Sequence, residues 1–202
     1  MKKTILLSLS LLLLTACTNS TPSSETLTTE TAKSVELKSL NSALERYTQA
    51  TIDNDIPTLL TFVYPKVFTL LPKEKMEVML ERMYASGKAP NITEITHKQI
   101  APIKKYDKGL YSVVTSTMSM ELKSPTPDNA KFEEILLDKL KRQMGANAEV
   151  TLDKSKHLFI VKRESQIVAI NENNEGWKFV GYEQAKKYAA KNIIPKSITD
   201  NL

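Results

Sequence analysis

Apolar residues recur at steps of three and four along Val35 to Asp53. Leu37, Leu40, Leu44, Tyr47 and Thr51 fall on one stripe, with Glu45, Arg46 and Gln49 off it. That spacing predicts a helix. Asp53-Asn54-Asp55 ends it, and Asp55 is placed to cap a second helix with Pro57 in its first turn. The second helix carries Leu59, Leu60, Phe62 and Val63 until Tyr64-Pro65 interrupts it. Pro72 opens a third, with Met76, Met79, Leu80 and Met83 on one stripe and Gly87 just past its end.

The period then shortens to two. Ile92 to Ile103 predicts a strand, Asp107-Lys108-Gly109 a hairpin turn, and Leu110 to Lys123 a long second strand. Leu110, Val114, Met118, Met120 and Leu122 share one face of it, together with Ser112 and Ser116. Asp128 or Asn129 caps a fourth helix that runs to Met144 and stops at Gly145, with Phe132, Ile135, Leu136 and Leu140 turned inward. Ala148–Asp153 and Leu158–Lys162 read as strands; Gln166–Asn171 and Gly176–Gly181 read as a hairpin around Glu172-Asn173-Asn174-Glu175. A last helix covers about Tyr182 to Asn192. Helices first and antiparallel strands after make an α+β domain. The N-terminal helices are expected to pack against a curved, mostly antiparallel sheet, with one inserted helix and one at the C-terminus.

Upstream of this region the character is different. Lys2 and Lys3 precede Ile5–Leu14, an apolar run broken only by Ser8 and Ser10, and small residues lead to Cys17. The run is too short for a bilayer span, which takes about 20 apolar residues, and it has the layout of a secretory signal. Leu14-Thr15-Ala16-Cys17 resembles the lipobox of bacterial lipoproteins. That resemblance implies cleavage between Ala16 and Cys17, with two or three fatty chains on Cys17. A single myristoyl chain binds a membrane only marginally, at about 0.8 kcal/mol per methylene, whereas two or three would hold the protein there. Thr18–Lys33 contains one large apolar residue, Leu27, and no aromatic. It reads as a flexible tether spanning about 20–25 Å. Three regions are therefore expected: residues 1–16 as signal peptide, 17–33 as lipidated tether, and 34–202 as a single domain. In the lipoprotein family an Asp after the lipidated Cys favours the inner membrane. Thr18 in that place implies the outer membrane, facing the periplasm, if the source is Gram-negative.

Charge adds little. Loss of Lys2 and Lys3 with the signal takes the formal net charge from +5 to +3, and the basic residues form no long stripe, so nucleic acid is not an expected partner. Lys104-Lys105, Lys139 with Lys141-Arg142, and Lys186-Lys187 with Lys191 read as solvated faces. A single cysteine excludes an internal disulfide, so stability must come from a hydrophobic core.

The stretch from Arg46 through YTQATIDNDIPTLLTFVYP to Lys66 resembles the opening of the NTF2-like (cystatin-like) superfamily, with Tyr47, Ala50, Asp55, Leu59 and Phe62 at the matching positions. The resemblance implies a sheet curled into a cone with an apolar mouth. Members of the superfamily are either binding and assembly modules or small isomerases, hydratases and cyclases. Its isomerases use a pocket carboxylate as base and Tyr or a protonated Asp as oxyanion donors. On that analogy Tyr111, Glu121 and Tyr182 are the candidate pocket residues. Trp177 joins them as a ligand-stacking ring, against the alternative that Trp177 and Phe179 simply pack in the core. Tyr111 and Glu121 share a strand face by alternation, and if that face is solvated both are ordinary surface residues.

Other chemistry finds no support in the sequence. His97 and His157 lack the close ligand spacing of a zinc site and read as structural or surface residues. No GxSxG, Walker A or GxGxxG motif is present. No metal and no cofactor is expected. The expected partners are the membrane, through lipid on Cys17, and an apolar ligand or an envelope protein, which favours a lipid-anchored binding or assembly module. The alternative is a small isomerase- or hydratase-like enzyme on an apolar substrate.

Overall fold

Two strands of equal length form the spine of the molecule. The computed structural model describes residues 24–87 and 89–202, so the expected signal peptide and Cys17 lie outside the described residues. Within them, β3 (Gly109–Lys123) and β5 (Leu158–Glu172) pair antiparallel along all 15 residues, from Gly109↔Glu172 to Lys123↔Leu158. β1 (Asn91–Ile100) and the short β2 (Lys104–Tyr106) share the other edge of β3. β4 (Ala148–Asp153) and β6 (Lys178–Gly181) share the other edge of β5. The result is an open, six-stranded antiparallel sheet in an α+β domain. Register shifts after Ile92 and after His97 mark bulges in β1, which bend a strand and increase its twist.

Helices cover the sheet unevenly. α1 (Ser24–Ile52) and α2 (Ile56–Phe62) lie over one end of one face. There Leu40, Leu44 and Phe62 pack on Leu110, Val114, Ala169 and Phe179. Each such side chain contributes about 1.5–3 kcal/mol when fully buried. α4 (Ala130–Met144) covers the far end of the same face, setting Leu137 and Leu140 against Met120, Val150 and Val161. Among the described residues, the opposite face is covered only near Tyr111. There the 3₁₀ turn Pro65–Thr69, α5 (Tyr182–Ala189) and α6 (Lys196–Thr199) enclose Val168, Ile170 and Val180 with Tyr64, Ala185, Ile194 and Ile198. α3 (Lys73–Ala85) contributes no buried residue.

Local chemistry sets most boundaries. Asn54 takes a left-handed φ of 55° between α1 and α2, and the Asp55 carboxylate accepts the Thr58 N–H at 3.1 Å. Asn129 accepts the Phe132 N–H at 3.1 Å and opens α4; Gly145, at φ 79°, closes it. Gly109 is required by close approach, because a Cβ there would collide with the Asn171 carbonyl oxygen on the neighbouring strand β5.

Several expectations are corrected. α1 begins at Ser24, so residues 24–33 are helical and not coil. A packed helix propagates upstream at little cost per residue once nucleated, and neither Gly nor Pro intervenes there. Leu158–Lys162 and Gln166–Asn171 are one strand. α4 turns Glu133, Leu137 and Leu140 inward, leaving Phe132 and Ile135 in solvent. The methionine stripe of α3 is likewise exposed at Met79 and Met83. Lys104 and Lys105 belong to a strand instead of ending one, and the last helix stops at Ala189, with α6 beyond it.

Candidate functional site

The four residues proposed as one pocket are distributed over the sheet. Tyr111 and Glu121 do share a face of β3, but ten residues of strand, about 33 Å, separate them. Tyr111 is buried in the covered end, with the Lys104 amine 5.9 Å from its ring centre. Glu121 is half-buried at the uncovered end, pairs across the ladder with Ile160 and accepts from the Asn91 amide at 3.3 Å. Tyr182 opens α5 and stacks under the Lys186 amine at 4.2 Å. It meets Tyr111 in the wall of a small cavity of about 160 Å³. Trp177 lies on the other face of the sheet, packed with Leu40, Leu44 and Phe62.

Trp177 nonetheless borders an open groove of about 530 Å³ between α1 and the β5–β6 turn. One wall is a polar ridge of α1. Ser39, Ser42 and Arg46 follow one another at steps of three and four, which places them on one side of the helix. The other wall is Glu175-Gly176-Trp177-Lys178, held by the Gly176 N–H donating to the Asn171 side chain at 3.1 Å. The Lys178 amine donates to the Thr61 carbonyl at 2.7 Å, closing the groove at the end of α2. The Arg46 guanidinium stands over the Phe62 ring at 5.4 Å and enters no ion pair among the described residues. Trp177 is 3% exposed, and its indole N–H is buried with no acceptor among the described residues. A buried donor left unpaired costs about 1–3 kcal/mol.

Two further polar constellations escape a reading of the sequence, because their members are far apart in the chain. Glu172 accepts the Tyr64 hydroxyl at 2.5 Å and the Lys66 amine at 3.0 Å, with Lys108 at 3.9 Å. Burial acts to raise the Glu172 pKa, but the Tyr64 and Lys66 contacts and the Lys108 charge outweigh it and hold the carboxyl below its ordinary value. Burial and the same carboxylate push the Tyr64 phenol upward and lift Tyr106 to about 12. His97 bridges α1 and the sheet, with Nε2 2.9 Å from Thr48 Oγ1 and Nδ1 2.8 Å from Ser116 Oγ. Burial lowers its pKa, partly offset by the Leu44 backbone. His157 sits in the β4–β5 turn at φ 54°, with Nδ1 3.1 Å from the buried Glu133 carboxylate. Thus both histidines have structural partners, and Asp55 is a helix cap.

Among the described residues no three His, Cys, Asp or Glu side chains converge as a metal site, and no helix is long and apolar enough to cross a membrane. No protein-family model matches the chain, no curated protein matches its sequence, and no solved structure matches its fold.

Proposed function

We propose that this chain is a binding module of the bacterial cell envelope, tethered to a membrane through lipid on Cys17 and presenting its domain to a ligand or partner. The observation that carries the binding role is the open groove lined by Trp177, Ser39, Ser42 and Arg46, an arginine that enters no ion pair among the described residues. The address rests on Leu14-Thr15-Ala16-Cys17 and its similarity to the lipobox. Helices leading into an antiparallel sheet are the order of elements that the NTF2-like resemblance implies, and binding modules are common in that superfamily.

The competing enzyme reading needs a carboxylate kept protonated, or poised as a base, in an apolar cavity. Glu172 has a phenol partner, but its lysines and that phenol stabilise the ionised form and draw its pKa down. This environment suits a structural anion. Membrane fractionation tests the address. The wild-type chain is expected to stay with membranes after a high-salt wash, Cys17→Ser to move to the soluble fraction, and globomycin to build up the uncleaved precursor. Membrane retention of Cys17→Ser would overturn the lipid tether.

A further inference from the structure

We infer that the notch between β4 and β6 binds a short extended peptide segment of a partner protein, which pairs antiparallel with the bare edge of β5 at Glu164, Ser165 and Gln166. The inference goes beyond the groove beside Trp177: it concerns another place in the fold and has its own test.

The row of strands on that edge is broken. β6 and β4 pair with β5 one after the other and run in the same direction. The β6 ladder ends at Ile167↔Gly181, and the β4 ladder begins at Ala148↔Arg163. The three residues of β5 between them span about 10 Å. Backbone groups in an antiparallel sheet turn alternately to one neighbour and the other. The Ala101 N–H donates to the Val113 carbonyl at 2.9 Å, so odd-numbered residues of β3 face the β1 side and even-numbered ones face β5. The unbroken register pairs Val114 with Ile167 and Ser116 with Ser165, so Ser165 and Ile167 bond to β3. Glu164 and Gln166 therefore turn their N–H and C=O groups into the gap. The β3–β5 ladder is closed by a bond one residue past each end, with Asn173 donating to Lys108 at 2.8 Å and Ser124 to His157 at 2.9 Å. Among the described residues no such bond joins Glu164 to Asn147 or Gln166 to Tyr182. The chain leaves the sheet at both places: Asn147 comes from α4 on one face, and Tyr182 opens α5 on the other. The space left is an open cleft of about 570 Å³.

Free backbone donors and acceptors at strand spacing match another extended chain, and such an edge is a template for strand addition. The template is regular, because β5 has no register shift here, unlike β1. Side-chain alternation sets the sequence it takes. A guest residue opposite Ser165 falls on the face of α4, where Met118, Met144 and Ile167 line the cleft and favour an apolar side chain. Guest residues opposite Gln166 and Glu164 fall on the other face. Glu164 is exposed and enters no ion pair among the described residues, so a lysine or arginine opposite it is complementary.

The full-length protein in neutral detergent is titrated with the capped peptide acetyl-threonyl-leucyl-lysine methylamide and followed by amide NMR. The threonine, leucine and lysine are placed opposite Gln166, Ser165 and Glu164. In the free protein the Gln166 amide should exchange with water much faster than those of Ser165 and Ile167. The peptide should shift the Glu164 and Gln166 resonances saturably and slow exchange at Gln166. Methylating the backbone nitrogen of the lysine, which faces β5, should weaken binding about tenfold or more. Methylating that of the leucine, which faces away, should change binding by less than about twofold. Gln166→Pro removes a donor at the notch and spares the bonds to β3, an orientation in which strands tolerate proline. It should fold and should weaken binding about tenfold or more; should it unfold, the two methylated peptides decide alone. The inference is overturned by no saturable shift at Glu164 and Gln166, by shifts centred elsewhere, by equal losses from both methylated peptides, or by a Gln166 amide already protected in the free protein. None of these outcomes bears on the lipid tether, which the Cys17→Ser fractionation judges.

Discussion

The Tyr64 hydroxyl donates to the Glu172 carboxylate at 2.5 Å, joining positions 108 residues apart in the chain. It ties the 3₁₀ turn after α2 to the last residue of β5, and Lys66 Nζ reinforces it at 3.0 Å from the other carboxylate oxygen. Tyr64 is buried and Glu172 nearly so. Tyr64→Phe removes the phenol donor while the carboxylate stays in place, and a hydrogen bond to a charged group is worth about 1.5–3 kcal/mol. Denaturant melts of Tyr64→Phe should therefore show a loss of about 1–3 kcal/mol at neutral pH. Because the folded state holds the Glu172 pKa below its ordinary 4.5, this contribution is complete above pH 4.5 and fades as the pH falls from there to the lowered value. The gap between wild type and Tyr64→Phe should narrow across the same window. A constant gap down to acid pH would refute the assignment.

His97 predicts a second, separate pH response. Burial disfavours its cation, so its pKa lies below the ordinary 6.5 in the folded state. The unfolded chain takes up the proton first as the pH falls, and stability declines from pH 6.5 down to the lowered value. Neutral imidazole presents one N–H and one lone pair, so Thr48 and Ser116 must play opposite roles, one donating and one accepting. Melting temperatures measured between pH 5 and 7.5 should fall on the acid side for the wild type. His97→Asn should be less stable at pH 7.5 and should lose that part of the acid decline. An unchanged decline in the variant would assign the effect elsewhere.

α4 predicts an inversion of the usual hydrophobic ranking. Phe132 and Ile135 are 40% and 53% exposed, whereas Leu140 packs on the sheet beside Leu137. Phe132→Ser and Ile135→Ser should each change stability by no more than about 0.5 kcal/mol. Leu140→Ala, at a partly buried site, should cost about 1–2 kcal/mol. Urea denaturation of the three variants checks the order; a costlier Phe132→Ser would place that face in the core.

The reasons for this inversion also explain which parts of the fold are legible in the sequence. Caps and breaks are readable because their chemistry is local. Asp55 and Asn129 reach backbone N–H groups three residues on, and Asp107-Lys108-Gly109 turns within itself. The inward face of α4 is not, because its apolar residues spread over more than half of the helix circumference and only the sheet beneath decides which are covered. That decision buries Glu133, which finds His157 in a turn 24 residues away. β5 reads as two strands because Lys162, Arg163 and Glu164 interrupt its apolar run. In the fold these three are exposed where β5 passes from the cluster under α4 to those under α1 and α5. The candidate site shows the same division. Trp177 stands out in sequence as the lone tryptophan, whereas its groove partners Ser39, Ser42 and Arg46 come from a helix more than 130 positions upstream and look like ordinary solvent-facing residues. Tyr111 and Glu121 show the reverse: alternation correctly gives them one strand face, but it carries no information on where along that face the helices lie.

The position of β5 in the chain sets a timetable. Every other element of the sheet lies on one of its flanks or attaches through β3, and yet it is among the last parts to be synthesised. Until Leu158–Glu172 has emerged, β3 lacks one neighbour and β4 has no strand partner, and β6 follows only after it. Contacts between distant parts of a chain close slowly. A nascent molecule should therefore remain open, degradable and dependent on protective factors until this late segment arrives, and then consolidate in a single concerted step.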